Sequence, residues 1–455
     1  MDNATRRQRV AKSRSQETVS QPTLAQLGLP NLDMPQIGGE SALLGTTTAL
    51  ERFASIENMI ETTRPEQSVE CFLPTNINKA ARTFLDHFPG HSLYAVKSNP
   101  DPYVLRQLYD AGIRHFDVAS LNEVSLVRGL FPDAHLAFMH PIKSRQAIRS
   151  AYFEYGVRDF VIDTFEEMHK ILEETNVAAD LTIIVRIAMP KGSAACPLAG
   201  KFGCTPEAGT TLLIDAAKVA NKVGLSFHVG SQSLDPSSYA SAISKAGEII
   251  AASGVSLDVF DIGGGFPIPD LGMEVPPLQT FFDVIKAEIA KINLPATCDV
   301  WSEPGRALSG TGGALVVRVE LRKDDVLYIN DGSFGNMFEV ASMGWKNRVQ
   351  MVRPARKGRK ASSKGLKPFR FFGPTCDSVD YMPGPFMLPD DICEGDWVIM
   401  YGMGSYMAAS RSSFNGFYSD KQVEIVSPMQ AVTPRARLSR ATSALKLVKT
   451  GSAAG

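Results

Sequence analysis

Eight short apolar runs alternate with amphipathic segments between residues 70 and 305, and this alternation limits the fold more than any other feature of the chain. The runs are Leu93–Val96, Arg114–Val118, Leu136–Met139, Phe160–Ile162, Leu181–Ile187, Leu225–Val229, Leu257–Ile262 and Asp299–Ser302. Most are continuously apolar rather than alternating, the pattern of strands buried on both faces. The segments between them carry helix signals. Pro102 suits a first helical turn and Gly112 a stop, while Ser120-Leu-Asn-Glu123 and Thr164-Phe-Glu-Glu167 have capping-box spacing. Eight such units predict an α/β fold built on a (β/α)8 barrel, with functional groups at the C-terminal ends of its strands.

Beyond Arg306 the pattern changes. Ala314–Arg322, Val326–Ile329, Phe369–Phe372 and Trp397–Tyr401 read as strands of a mainly antiparallel β domain. The expected organisation is a disordered leader over 1–45, the barrel over 70–305, the β domain over 306–426 together with 46–69, and a tail over 427–455. A helix is expected within Thr46–Thr63 and another around Ala441–Val448. Arg6, Arg7 and Arg9 hint at a transit peptide, but Asp2, Glu17 and the lack of an apolar stretch oppose it. The basic stretch from Arg353 to Lys367 has no apolar face and reads as a solvated loop.

Composition narrows the partners. A formal net charge of -1 gives no bulk attraction to nucleic acid or an anionic membrane, and no apolar run approaches the ~18 residues of a membrane span. Six scattered cysteines without a CxxC pair predict a reducing cytoplasm. The seven histidines show no metal-ligand spacing, so no metal is expected.

The predicted strand ends are polar or glycine-rich almost throughout. Strand one delivers Lys97, strand two Asp117 and Ser120, strand three His140, strand five Arg186, and strand six His228 with Ser231. Strand seven ends in Gly263, Gly264 and Gly265, and strand eight in Glu303, Gly305 and Arg306. Burial at a strand end lowers a lysine's pKa and favours the nucleophilic neutral amine. Glycines let backbone N–H groups approach an anion, and loops after strands seven and eight often hold phosphate in such barrels. A phosphate site facing a reactive lysine points to pyridoxal phosphate held as a Schiff base. Glu303 would then keep the pyridine nitrogen protonated, and His228 would stack on the ring.

The motifs LYAVKSNP, FDVAS, KFG, FHVGSQ, DIGGGFP, SEPGR, GPTCDS and SSFNGF run in order between Cys71 and Tyr418. Together they resemble the ornithine/lysine/diaminopimelate/arginine decarboxylase family of pyridoxal-phosphate enzymes, closest to the ornithine and lysine decarboxylases, whose barrel is alanine-racemase-like. The resemblance implies Lys97 as the Schiff-base lysine, His228 as ring stacker and Glu303 at the ring nitrogen. It implies Ser231, Gly263 to Gly265, Arg306 and Tyr406 around the phosphate. Asp117, Glu123, Arg186 and Lys201 would surround them. Cys376 and Asp377 would enter from the second subunit of a homodimer, with Cys376 as the acid that protonates the α-carbon.

Racemases of this fold place an arginine at the ring nitrogen, so Glu303 favours decarboxylation. Asp377 suits the distal ammonium of ornithine or lysine, and GPTCDS disfavours diaminopimelate. One departure stands out. The Tyr-Asp pair that ornithine decarboxylases carry downstream of their NDG segment is absent here, where Glu339-Val-Ala-Ser342-Met343-Gly344 follows Asn330-Asp331-Gly332. Glu339 is the candidate replacement. The expected activity is conversion of a basic L-amino acid to a diamine. The alternatives are a non-catalytic regulatory homologue, a racemase, or a decarboxylase of arginine or diaminopimelate.

Overall fold

A computed structural model describes residues 49–189, 194–196, 200–354, 362 and 364–426. The expected leader, the tail with its helix around Ala441–Val448, and residues 355–361 and 363 of the basic stretch lie outside them.

All eight expected strands form, as His91–Ala95, His115–Val118, His135–Phe138, Asp159–Ile162, Thr182–Arg186, Lys222–Ser226, Val259–Asp261 and Asp299–Ser302. Each pairs in parallel with its neighbour in sequence, and strand eight closes onto strand one through Trp301 opposite His91. Leu93, Ala137, Met139, Val161, Ile184, Val259 and Trp301 fill the interior as one buried cluster. A larger cluster joins the outer strand faces to the surrounding helices. Strand six ends at Ser226, two residues short of His228, which therefore lies in the loop above the barrel.

The helix signals act as their chemistry predicts, with one variation. Asp101 caps the helix Pro102–Ala111, and Gly112 ends it at φ +116°. Ser120 and Thr164 each accept from the backbone N–H three residues on, at 3.2 Å. The reciprocal half of each capping box is absent. Glu123 accepts from Ala119 N–H at 2.7 Å, and Glu167 pairs with the buried Lys143 at 3.0 Å.

The second domain is a nine-stranded sheet centred on Gly313–Lys323, mostly antiparallel with three parallel pairings. Val69–Phe72 lies in this sheet, between Gly313–Lys323 and Gln422–Ile425, although the sequence places residue 70 at the start of the barrel. Within Thr46–Thr63 the helix is confined to Ile56–Thr63, capped by Ser55, and Glu51–Phe53 is a strand paired with Gln422–Ile425. Among the described residues, no helix is long and apolar enough to cross a membrane.

Candidate active site

Strand one ends two residues before Lys97, which occupies the short turn Val96–Ser98. Its ammonium pairs with Asp117 at the end of strand two; the Asp117 side chain is fully buried, and that of Lys97 is 43% exposed. Burial alone would lower the lysine's pKa, as the sequence suggests. The surrounding Asp117, Glu303 and Tyr406 outweigh it and raise the pKa, so the amine is an ammonium held by acids. The second oxygen of Asp117 is buried without a hydrogen-bond partner.

Two carboxyl groups lie together under the mouth, Asp261 at the end of strand seven and Glu303 just beyond strand eight. Both are buried. Burial drives the Glu303 carboxyl well above the usual range, and repulsion from Asp261 and Asp117 adds to it. Burial also raises Asp261, while its hydrogen bond with Glu303 acts the other way. Both carboxyls are therefore harder to ionise than an exposed acid. Sequence reading missed Asp261, although it opens the DIGGGFP motif.

His228 accepts a hydrogen bond from Gly230 N–H at Nδ1, 3.0 Å away, which leaves Nε2 as the protonated nitrogen of a neutral ring. Burial, then the charges of Arg186 and Lys97, hold its pKa well below the ordinary value. The ring packs against the glycine triplet. A Cβ on Gly264 would lie 3.0 Å from His228 Nε2 and 2.5 Å from the Glu303 carbonyl oxygen. On Gly263 and Gly265 it would lie 2.1 Å and 2.4 Å from carbonyl oxygens of the loop after strand six, and both glycines have positive φ. No side chain fits there.

Arg306 is buried, with its guanidinium 4.9 Å from the Tyr406 ring. Tyr406 holds a left-handed backbone, φ +51°, and its N–H donates to Ser98 O at 2.7 Å, which ties it to the Lys97 turn. Ser231 begins a short strand paired with Ala194–Cys196. Arg186 is half-buried at the end of strand five, and Lys201 is exposed; both cations approach the Phe202 ring. Glu339 does not reach toward a substrate site. It binds Arg306 through both oxygens at 2.8 Å, so the expected second carboxylate for a distal amine is already engaged.

Cys376 and Asp377 stand apart from this cluster, both exposed on the second domain. Their loop is firmly built. Asp380, buried beneath it, accepts from the backbone N–H and hydroxyl of both Ser333 and Thr375 at 2.7–3.0 Å, and Cys376 N–H donates to Asn415 at 3.2 Å.

The barrel mouth thus offers an amine, a side-chain-free backbone cradle after strand seven, a buried arginine after strand eight, and a buried carboxyl whose pKa is raised. This donor set fits pyridoxal phosphate, and the unpartnered Asp117 oxygen and the closed space around the glycines agree with it. Residues 75–310 match the pyridoxal-binding domain of pyridoxal-dependent decarboxylases. A lysine/ornithine decarboxylase of Selenomonas ruminantium is 34% identical over 76% of this chain and 87% of its own length. The ornithine decarboxylase of Panagrellus redivivus is 32% identical over 72% and 78%. Among solved structures, the arginine decarboxylase of Paramecium bursaria Chlorella virus superposes with a TM-score of 0.71 at 27% identity, covering 81% of this chain and 99% of its own. A lysine/ornithine decarboxylase of Vibrio vulnificus gives 0.69 at 28%, covering 82% and 99%. A barrel mouth of this composition and matches of this extent lead to one assignment: the chain belongs to the pyridoxal-dependent decarboxylases.

Proposed function

We propose that the protein decarboxylates a basic L-amino acid, ornithine or lysine, to carbon dioxide and a diamine. The observation that carries this reading is Glu303, a buried acid just beyond strand eight, beside Asp261, whose carboxyl burial makes harder to ionise. An acid there supports loss of carbon dioxide, where a permanently charged arginine would leave the ring nitrogen bare. Bound pyridoxal phosphate supplies the electron sink for the carbanion that departing carbon dioxide leaves behind.

The chain's own residues do the rest. Lys97 Nζ would hold the cofactor's carbonyl carbon, with Asp117 keeping that amine in place. Glu303 would face the ring nitrogen, with Asp261 beside it to steady the carboxyl. The neutral His228 ring would pack on the cofactor and keep water out. Arg306, Ser231, Tyr406 and the backbone of Gly263 to Gly265 and Gly305 would hold the phosphate, and Arg186 would add positive charge at the mouth. Cys376 Sγ delivers a proton to the α-carbon, and Asp377 receives the distal ammonium.

Cys376 and Asp377 are exposed on their own chain, so this reading requires a second copy to bring them over the mouth, a homodimer with shared sites. Phe414, Phe417 and Tyr418, 42–47% exposed beside the Cys376 loop, supply an apolar rim for it. The Vibrio vulnificus relative was solved in complex with cadaverine and with putrescine, the diamines of lysine and ornithine. A cytoplasmic enzyme fits the exposed, unbridged Cys376.

Purified protein supplied with pyridoxal phosphate and, separately, ornithine, lysine, arginine and diaminopimelate tests the reading. Carbon dioxide and the matching diamine should form from ornithine or lysine, with a specific rate that falls on dilution below the dimer's dissociation constant. Release from none of the four, or inversion of the α-carbon without gas, would overturn it.

A further inference from the structure

Arg306 is the cation that the proposed function assigns to the cofactor phosphate, and the inference that follows rests on that assignment. Glu339 Oε2 and Oε1 accept from Arg306 Nη1 and Nη2, both at 2.8 Å, so one whole fork of the guanidinium is occupied by a carboxylate. The pair is shielded, with side chains 5% and 19% exposed, and Trp345 and Tyr406 flank the guanidinium at 5.8 and 4.9 Å. Water and salt screen little of the interaction there.

We propose that Glu339 is an internal counter-ion that competes with the cofactor phosphate for Arg306, and so sets how tightly the protein holds its cofactor. The sign follows whichever way the pair responds. If the phosphate uses the other fork and the ion pair persists, the dianion shares its arginine with a carboxylate a few ångströms away and is repelled by it. If the phosphate displaces Glu339, binding must first break two charge-assisted hydrogen bonds. Both cases weaken the cofactor's hold relative to a chain with a neutral side chain at 339. The opposing effect is orientation, because Glu339 also fixes the guanidinium plane. Glutamine keeps the shape and one acceptor oxygen, so most of that orientation survives while the charge goes. Sequence position supports a local tuning role: Glu339 lies on the short helix Phe338–Ser342, whose neighbours Phe338 and Met343 are exposed and leave it room to shift.

The test is a titration of cofactor-stripped full-length protein with pyridoxal phosphate, followed by the absorption of the bound cofactor. E339Q and E339A should each bind at least about tenfold more tightly than the wild type, a difference of roughly 1.4 kcal/mol. Inorganic phosphate should compete at correspondingly lower concentration. Pyridoxal, which lacks the phosphate, should bind all three proteins alike, which separates a charge effect at Arg306 from a general change in the site. Equal or weaker binding of pyridoxal phosphate by both variants would overturn the proposal. So would an equal gain with pyridoxal. Wild-type protein that takes up no cofactor would instead remove the cofactor assignment on which the role depends.

Discussion

The two ends of the barrel both collect titratable side chains, and they use them in opposite ways. At the N-terminal end, His91, His115 and His135 stand on successive strands with ring centroids 4.5 and 4.9 Å apart, the first pair stacked and the second tilted at 42°. His135 Nε2 reaches Asp159 Oδ2 at 2.8 Å, and the Trp301 ring meets His135 edge-on. His135 Nε2 has this ion-pair contact but no well-aligned hydrogen bond. At the C-terminal end, Asp117 and Glu303 act on one lysine, and Asp261 neighbours Glu303. Burial raises the pKa of Glu303 and Asp261, and one oxygen each of Asp117 and Asp261 is left without a hydrogen bond. The same parallel strands support both, so architecture does not distinguish a site from a floor. What distinguishes them is charge: at the mouth buried carboxyl groups raise the pKa of Glu303 beside Lys97, whereas at the floor burial and neighbouring histidines hold His115 neutral.

The difference can be broken most severely at Lys97. Lys97→Ala should abolish the visible absorption of bound cofactor and cut turnover by at least ~10⁴-fold, because the anchoring amine and its partners act as a unit. Retained turnover would move the chemistry elsewhere. Gly264→Ala should come next. Its Cβ meets the backbone carbonyl of Glu303 at 2.5 Å, and a backbone atom cannot swing away. Strand eight or the triplet must shift, at about 1–3 kcal/mol, and cofactor affinity should fall with stability. Chemical denaturation and cofactor titration read the two losses separately; an unchanged affinity would show that the cradle tolerates displacement.

Much of this contrast is readable in the sequence, within limits that have physical causes. The eight strands stand out because parallel strands covered on both faces are apolar without a break. Their polar ends mark the mouth for the same reason. The misreadings occur where information is long-range. Val69–Phe72 is as apolar as a barrel strand and is claimed by the second sheet only through partners more than two hundred residues away. Tyr381–Pro389, absent from the expected strands, contains Pro383, Gly384 and Pro385 and still forms an edge strand, where missing N–H donors cost little. The sequence predicts a lowered pKa for Lys97, because burial is legible at a strand end whereas the convergence of three acidic groups on one amine is not. Glu339 reads as a substrate-facing acid until its bidentate grip on Arg306 is seen. The histidine stack gives no sequence signal, since its members are 24 and 20 residues apart and meet only through strand register.

The smallest effect tests the floor. Burial, then His135 and His91, push the His115 pKa down to about 4, with Asp159 acting the other way. In the unfolded chain His115 takes up a proton near its ordinary value, about 6.5. Between those values the unfolded state binds more protons, so stability falls as pH drops from about 6.5 toward 4 and this loss ends below 4. Glu70, raised to about 7 by burial, and Asp261 work in the opposite direction, so the wild-type curve alone cannot isolate the histidine. His115→Leu isolates it. As pH falls through this window, the wild type should lose ground to the variant, by about 2 °C or more in Tm. At neutral pH the decarboxylation rate of the two should agree within about twofold, because the floor touches none of the groups at the mouth. A parallel pair of Tm curves would mean that the stack accommodates its proton after all. A collapse of turnover in His115→Leu would mean that the two ends of the barrel are not separable.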